Sequence, residues 1–394
     1  MINTPKSNRM HIAIFGKRNS GKSTLINAIT GHNIALVSDL AGTTTDPVYK
    51  AMELLPIGPV VIIDTAGLDD EGSIGELRIK KTKEVMDKTD LALLLFDDNK
   101  NISLEKQWYD ELKNREIPMI GVINKIDVNN GDTSHITDAF DIPFVKVSAK
   151  DKLNIGKLKE AIQLNAPSDF ERNVIVGDIL KPKDTVVLVA PQDIQAPKGR
   201  LILPQVQTMR DILDHDAMSL TVKGSELENI LNTLNKKPDL VITDSQIFKY
   251  VNDTLPKDVT LTSFSILMSR YKGDLNTVIK GAKHIDKLKD GDKVLIAESC
   301  THHPLKGDIG REKLPKWLQE RNDITLDITI NAGSDFPKDL SKYSLIVHCG
   351  ACMFNRKQMM TRIIRAQSQG VPITNYGIAI AYMNGILKRV TEMF

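Results

Sequence analysis

Two sets of residues in this chain have the types and spacing for chemistry. The first is GKRNSGKS, Gly16 to Ser23, which fits G-x-x-x-x-G-K-S. Gly16 and Gly21 let the backbone curl so that its N–H groups, with Asn19 and Ser20 in the same stretch and Thr24 just after it, cradle phosphate at a helix start. Lys22 neutralises the terminal phosphates and Ser23 binds magnesium. Farther on, DTAG (Asp64 to Gly67) offers an aspartate to the magnesium shell and a glycine N–H to the γ-phosphate. NKID contributes Asn124, Lys125 and Asp127, whose carboxylate accepts both N–H donors of guanine, and SAK (Ser148, Ala149, Lys150) closes the base pocket. That order selects GTP and GDP as ligands. In AGTTTDP, Thr44 is the expected magnesium-reaching threonine, with Thr43 and Thr45 as alternatives. The catalytic set is then Lys22, Thr44, Asp64 and Gly67. GLDDEGSIGELR is expected to be a mobile second switch, because Gly67, Gly72 and Gly75 carry little packing.

The second set holds every cysteine of the chain: Cys300 with His302 at the end of KVLIAESCTH, then Cys349 and Cys352 in LIVHCGAC, preceded by His348. The spacing of Cys349 and Cys352 aims two sulfurs at one ion or cluster, and Gly350 is expected to ease the turn between them. Zinc would take the three thiolates and one imidazole, His302 or His348. An iron–sulfur cluster normally takes four thiolates and here would find three. Residue chemistry alone leaves both metals open.

Strand ends must position both sets. From about His11 to Pro167 short apolar runs (HIAIFG, VVIIDTAG, LALLLFDD, MIGVINK, FVKVSA) alternate with amphipathic helix-length stretches, the rhythm of a doubly wound α/β domain. Polar NAPSDFERN marks a boundary, and two further strand–helix alternations follow. The expected fold is a P-loop GTPase domain over 1–170, a smaller α/β domain over 171–262, and a second over 263–394 that carries the cysteines. One helical stretch is expected from about Ser263 to Leu288. The 394 residues suffice for several cores. A net charge of +2 gives no electrostatic reason to expect nucleic acid or membrane surfaces as partners. No apolar run approaches the roughly 18 residues of a membrane span, and no leader-like apolar segment opens the chain. A cytoplasmic location and reduced thiols are expected.

The first 165 or so residues resemble the TrmE-Era-EngA group of GTPases. Leu68 follows DTAG, where Ras-like enzymes carry a water-positioning glutamine. The resemblance implies that Asn19 helps hold a potassium ion supplying charge in its place, so that hydrolysis is slow without potassium or a partner. Over nearly the whole chain, CTH followed by HCGAC on a GTPase module resembles the FeFe-hydrogenase maturation GTPases, the HydF family. That resemblance implies a four-iron four-sulfur cluster on Cys300, Cys349 and Cys352. Its fourth iron would be open or weakly held by His302, His348 or an acidic residue of the 301–312 segment. It also implies a middle dimerisation module, a homodimer or higher homo-oligomer, and a carrier role. By the same resemblance, the cargo is expected to be a di-iron precursor made with two radical-SAM maturases and delivered to the apo FeFe-hydrogenase. Two rival expectations are a GTPase of RNA modification or ribosome assembly with a structural zinc domain, and a redox GTPase with a fully ligated cluster.

Overall fold

The computed structural model describes residues 4–31, 47–65, 73–97, 101–128, 131–167, 174–191, 201–299, 308–333 and 335–394. They fall into two compact units, Met1–Arg172 and Asn173–Phe394.

The first unit is built on six strands: β1 (Met10–Gly16), β2 (Val48–Leu54), β3 (Gly58–Asp64), β4 (Leu91–Phe96), β5 (Met119–Ile123) and β6 (Phe144–Lys146). They lie in the order β2-β3-β1-β4-β5-β6, and only β2 runs antiparallel to its neighbour. Every residue of β1, β4 and β5 is buried, which is why these strands read as continuous apolar runs: helices cover both faces of the sheet. β2 is half exposed at the edge and mixes lysine and glutamate into its sequence, so no apolar run announces it. The parallel strands all point the same way, so the segments after β1, β3, β5 and β6 share the carboxyl edge where ligands of open α/β sheets bind.

The second unit holds two parallel four-stranded sheets. One contains β7 (Thr185–Val189), β8 (Met218–Val222), β9 (Leu240–Thr243) and β10 (Thr260–Ser263), in the order β10-β9-β7-β8. The other contains β11 (Lys293–Glu298), β12 (Asp327–Ala332), β13 (Leu345–His348) and β14 (Ile373–Asn375), in the order β12-β11-β13-β14. A shared core joins them, with Val187, Val241 and Leu261 in one apolar cluster with Val294, Ile296, Val347 and Ile378.

The helical stretch expected as one piece is broken. Helix Phe264–Lys272 ends at Gly273, and Asp274 starts helix Leu275–Ala282 by accepting the Thr277 N–H at 3.2 Å. Glycine stands at the break because a Cβ there would lie 2.9 Å from the Ser269 carbonyl oxygen. Among the described residues no helix is long and apolar enough to cross a membrane.

Candidate functional site

Buried β1 feeds the phosphate loop, and helix Lys22–Thr30 starts immediately after Gly21, whose φ of 96° only glycine adopts without strain. Asn19 also turns left-handed, at φ 60°. Lys22 folds back over the loop, donating to the carbonyls of Gly16 at 2.9 Å and Lys17 at 2.7 Å, so its ammonium lies within the curl of backbone. From the adjacent strand, Asp64 accepts a 2.7 Å hydrogen bond from the Ser23 hydroxyl. Burial raises the Asp64 carboxyl above its usual range, partly offset by the Ser23 hydroxyl and the charges of Lys22 and Lys50. A hydroxyl and a desolvated carboxylate held together are the hard oxygen donors that suit magnesium.

The base end is tied to the phosphate end by one side chain. Asn124 is 3% exposed; its Nδ2 donates to the Ser20 carbonyl at 2.9 Å, and its Oδ1 accepts the Ala149 N–H at 3.0 Å. It clamps the loops after β1, β5 and β6 together. A Cβ on Gly21 would lie 2.4 Å from that Nδ2, so Gly21 is needed for the clamp as well as for the turn. Lys125 takes φ 65°, and Asp127 beyond it is exposed. The Ser148 hydroxyl, more than any other group, holds the Asp127 carboxyl below its usual range, which keeps it an ionised acceptor. Gly16, Asn19, Ser20, Gly21, Lys22, Ser23, Thr24, Asp64, Asn124, Lys125, Asp127, Ser148, Ala149 and Lys150 therefore share one edge of one sheet. Thr43, Thr44, Thr45, Gly67 and Leu68 lie outside the described residues, and within the expected second switch a helix begins at Ser73.

The thiols Cys349 and Cys352 lie just past the carboxyl end of β13, partly exposed and not joined to each other. The Cys349 N–H donates to the Ala297 carbonyl of β11 at 2.8 Å. The Ser299 N–H donates to Cys349 Sγ at 3.1 Å, and the Ser299 hydroxyl lies 3.2 Å from the same sulfur. Burial, and then the neighbouring Cys349, push the Cys352 thiol up, while Lys272 pulls the other way. Cys300, the next residue after Ser299, and His302 lie outside the described residues. Among the described residues no group of three or more His, Cys, Asp or Glu side chains is placed to hold a metal.

The turn in HCGAC is made differently from the expectation. The left-handed residue is Ala351, at φ 52°, and a Cβ on Gly350 would meet nothing within 4 Å. His348 is fully buried, with Nδ1 hydrogen-bonded to the Cys349 carbonyl at 2.8 Å and Nε2 to Arg362 Nη1 at 2.9 Å. Since arginine only donates, Nε2 accepts and Nδ1 carries the proton. Both nitrogens are engaged below the loop, so a ligand role for His348 would require breaking these contacts. Asp308, of the acidic candidates, is also buried and accepts the Arg311 N–H at 2.9 Å.

Burial, then the charge of Arg362, pushes His348 from 6.5 down to about 3. Between those values the unfolded chain binds a proton that the folded one refuses. Stability is therefore present above pH 6.5 and lost as pH falls toward 3, by up to about 1.4 kcal/mol per pH unit. Denaturant melts of the protein and of His348→Asn across that range should show a shallower slope for the variant.

Sequence reasoning missed Lys272, Arg362 and Ser299. Lys272 reads as a helix-end lysine complementing the dipole, and nothing local marks it as buried.

Residues 175–273 match the hydrogen maturase F dimerization domain, and residues 276–393 match the hydrogen maturase F tetramerization domain. The chain belongs to the hydrogen maturase F family. Residues 11–125 match the 50S ribosome-binding GTPase family, so in this HydF-family chain a P-loop GTPase domain precedes the two maturase domains. The domain that carries the cysteines is thus also an oligomerisation domain, a role the sequence analysis gave only to the middle of the chain. Among curated proteins, the tRNA modification GTPase MnmE of Chromobacterium violaceum is 37% identical over 151 residues, 38% of this chain and 33% of that protein. MnmE of Endomicrobium trichonymphae is 38% identical over 156 residues, again 38% of this chain and 34% of the other. The HydF-family chain spans about a third of the length of these relatives. Among solved structures, Aquifex aeolicus Era bound to GDP and aluminium fluoride aligns at 19% identity and a TM-score of 0.36, covering 61% of this chain and 97% of that one.

Proposed function

We propose that this chain is a GTP-hydrolysing scaffold and carrier in FeFe-hydrogenase maturation. The observation that carries the reading is the union, on one chain, of a GTPase domain with two hydrogen maturase F domains, the second bearing the cysteine loop at the carboxyl edge of its sheet. Cys349, Cys352 and Cys300 would hold a four-iron four-sulfur cluster, and Ser299, the sequence neighbour of Cys300, already touches Cys349. When bound, the cluster supplies an iron site with an exchangeable ligand. The cargo is a di-iron precursor received with the help of two radical-SAM maturases and passed to the apo-hydrogenase in the cytoplasm.

In the GTPase domain, Lys22 neutralises phosphate, Ser23, Asp64 and Thr44 hold magnesium, and Asp127 reads guanine. GTP and GDP act on the carrier through their different contacts with the switch segments, since a ligand shifts a protein only by binding its states unequally. For the homo-oligomer, we place the dimer contact at β8, one of the two outer strands of its sheet, where Met218 is half exposed. An open strand edge can pair with a second copy across a two-fold axis.

Asn19 is the residue for potassium: it is exposed within the phosphate loop and held in a left-handed turn. Turnover should therefore be several-fold faster in potassium than in sodium at equal ionic strength, and Asn19→Ala should remove the difference. Equal rates for the unaltered protein would eliminate this role. The cluster is tested by anaerobic reconstitution with ferrous iron and sulfide. Iron and sulfide in equal amounts, with a reducible cubane signal that changes on adding imidazole or cyanide, supports the reading; stoichiometric zinc in the native protein refutes it.

A further inference from the structure

We propose that Lys272 is a positioning residue of the cysteine site: from beneath the loop its side chain fixes the backbone from Ala351 to Phe354 and places a cation next to Cys349 and Cys352. The proposal rests on the cluster reading above.

Lys272 is the last residue of helix Phe264–Lys272 and is 1% exposed. Its Nζ donates to the carbonyls of Phe354 at 2.9 Å, Cys352 at 3.0 Å and Ala351 at 3.3 Å. An ammonium has three N–H bonds, and these carbonyls take all of them. They lie in the segment that contains left-handed Ala351, a conformation that persists only where its surroundings over-determine it.

Burial pushes the Lys272 ammonium from 10.5 down to about 8, Cys352 and then Cys349 pull the other way, and among the described residues no carboxylate pairs with it. A buried cation without a counter-charge is costly. A cubane held by thiolates is net anionic, so loading the site would provide the missing charge.

The clamp is reciprocal. Arg356, the first residue of the helix after the loop, donates Nη1 to the carbonyls of Tyr271 at 3.2 Å and Gly273 at 3.0 Å, on either side of Lys272. Lys272 lies within the part matched to the dimerization domain, and the loop within the part matched to the tetramerization domain. One family domain thus completes the cluster site of the other.

The test uses the full chain with Lys272→Met, which keeps an apolar stem and removes charge and donors, and Lys272→Arg, which keeps the charge in a planar group that cannot meet three converging carbonyls. In iron-free protein, hydrogen exchange of the 350–355 amides should be faster in both variants. After reconstitution with ferrous iron and sulfide, the Met variant should lose iron to a chelator about 10-fold faster than the unaltered protein. Its cluster potential should shift negative, because loss of a nearby cation disfavours the more negative reduced cluster. Arg should restore the potential but not the exchange protection. Exchange, iron release and potential all unchanged in the Met variant would overturn the proposal while leaving the cluster reading intact. If the unaltered protein takes up no iron, the cluster reading and the charge half of the proposal fall together, and exchange still decides the anchoring half. Should the Met variant fail to fold, the Arg variant decides: unchanged exchange there overturns the anchoring role.

Discussion

Lys22→Ala is expected to lower GTP turnover by about 10²- to 10³-fold, the scale for removing one preorganised charge-stabilising group from a phosphoryl-transfer site. The ammonium is held between the Gly16 and Lys17 carbonyls, inside the loop that would surround phosphate. Alanine removes that charge and its hydrogen bonds, leaving the Lys17 carbonyl to the Ser20 hydroxyl at 2.8 Å. It also removes one of the two cations that offset the burial of Asp64, so the carboxyl should rise further above its ordinary range and hold magnesium less well. Iron uptake should be unaffected, because the cysteine loop lies in the other compact unit. Steady-state phosphate release and iron content, measured on the same preparation, check both halves of this expectation.

Cys349→Ser should do the opposite. Cys349 Sγ receives the Ser299 N–H at 3.1 Å, and its backbone is pinned to Ala297, so serine can occupy the position with little rearrangement. What it loses is the soft thiolate that selects iron–sulfur chemistry. Reconstituted iron should fall to background, with loss of the brown colour, while GTP turnover stays within about twofold, because every nucleotide-site residue belongs to the other compact unit. Parallel loss of both properties in this variant would mean that the cysteine loop is required for the nucleotide site.

The sequence makes the strand-end geometry of both sites readable because parallel strands buried on both faces must be apolar throughout. HIAIFG, LALLLF and MIGVI could be little else. It hides strands that do not meet this condition: β2 is half exposed and interrupted by charge, and β10 is TLTS, largely buried but with three hydroxyl side chains in four residues. At the nucleotide site the motif residues were legible because the chemistry fixes their types and spacing. Asn124 shows the limit. NKID identifies it, but that its side chain ties Ser20 to Ala149 is a long-range fact no local pattern carries. At the cysteine site the thiols were legible and their support was not. Gly350 looked like the turn residue, yet Ala351 takes the left-handed conformation, held where Lys272 reaches its carbonyl from a helix some 80 residues earlier. His348 looked available as a ligand. Its two nitrogens are instead committed to Arg362 and the Cys349 carbonyl, a pairing that depends on β13 and helix Arg356–Ser368 packing together.

As proposed, the three cysteines hold an iron–sulfur cubane with one exchangeable iron position, and the carrier role depends on it. Its most direct test is electron paramagnetic resonance of the reduced, anaerobically reconstituted protein, before and after imidazole or cyanide is added. A cubane signal that shifts on addition and is absent from Cys349→Ser is the expected result. A protein that binds stoichiometric zinc and no iron, or whose cubane signal ignores both ligands, would contradict it.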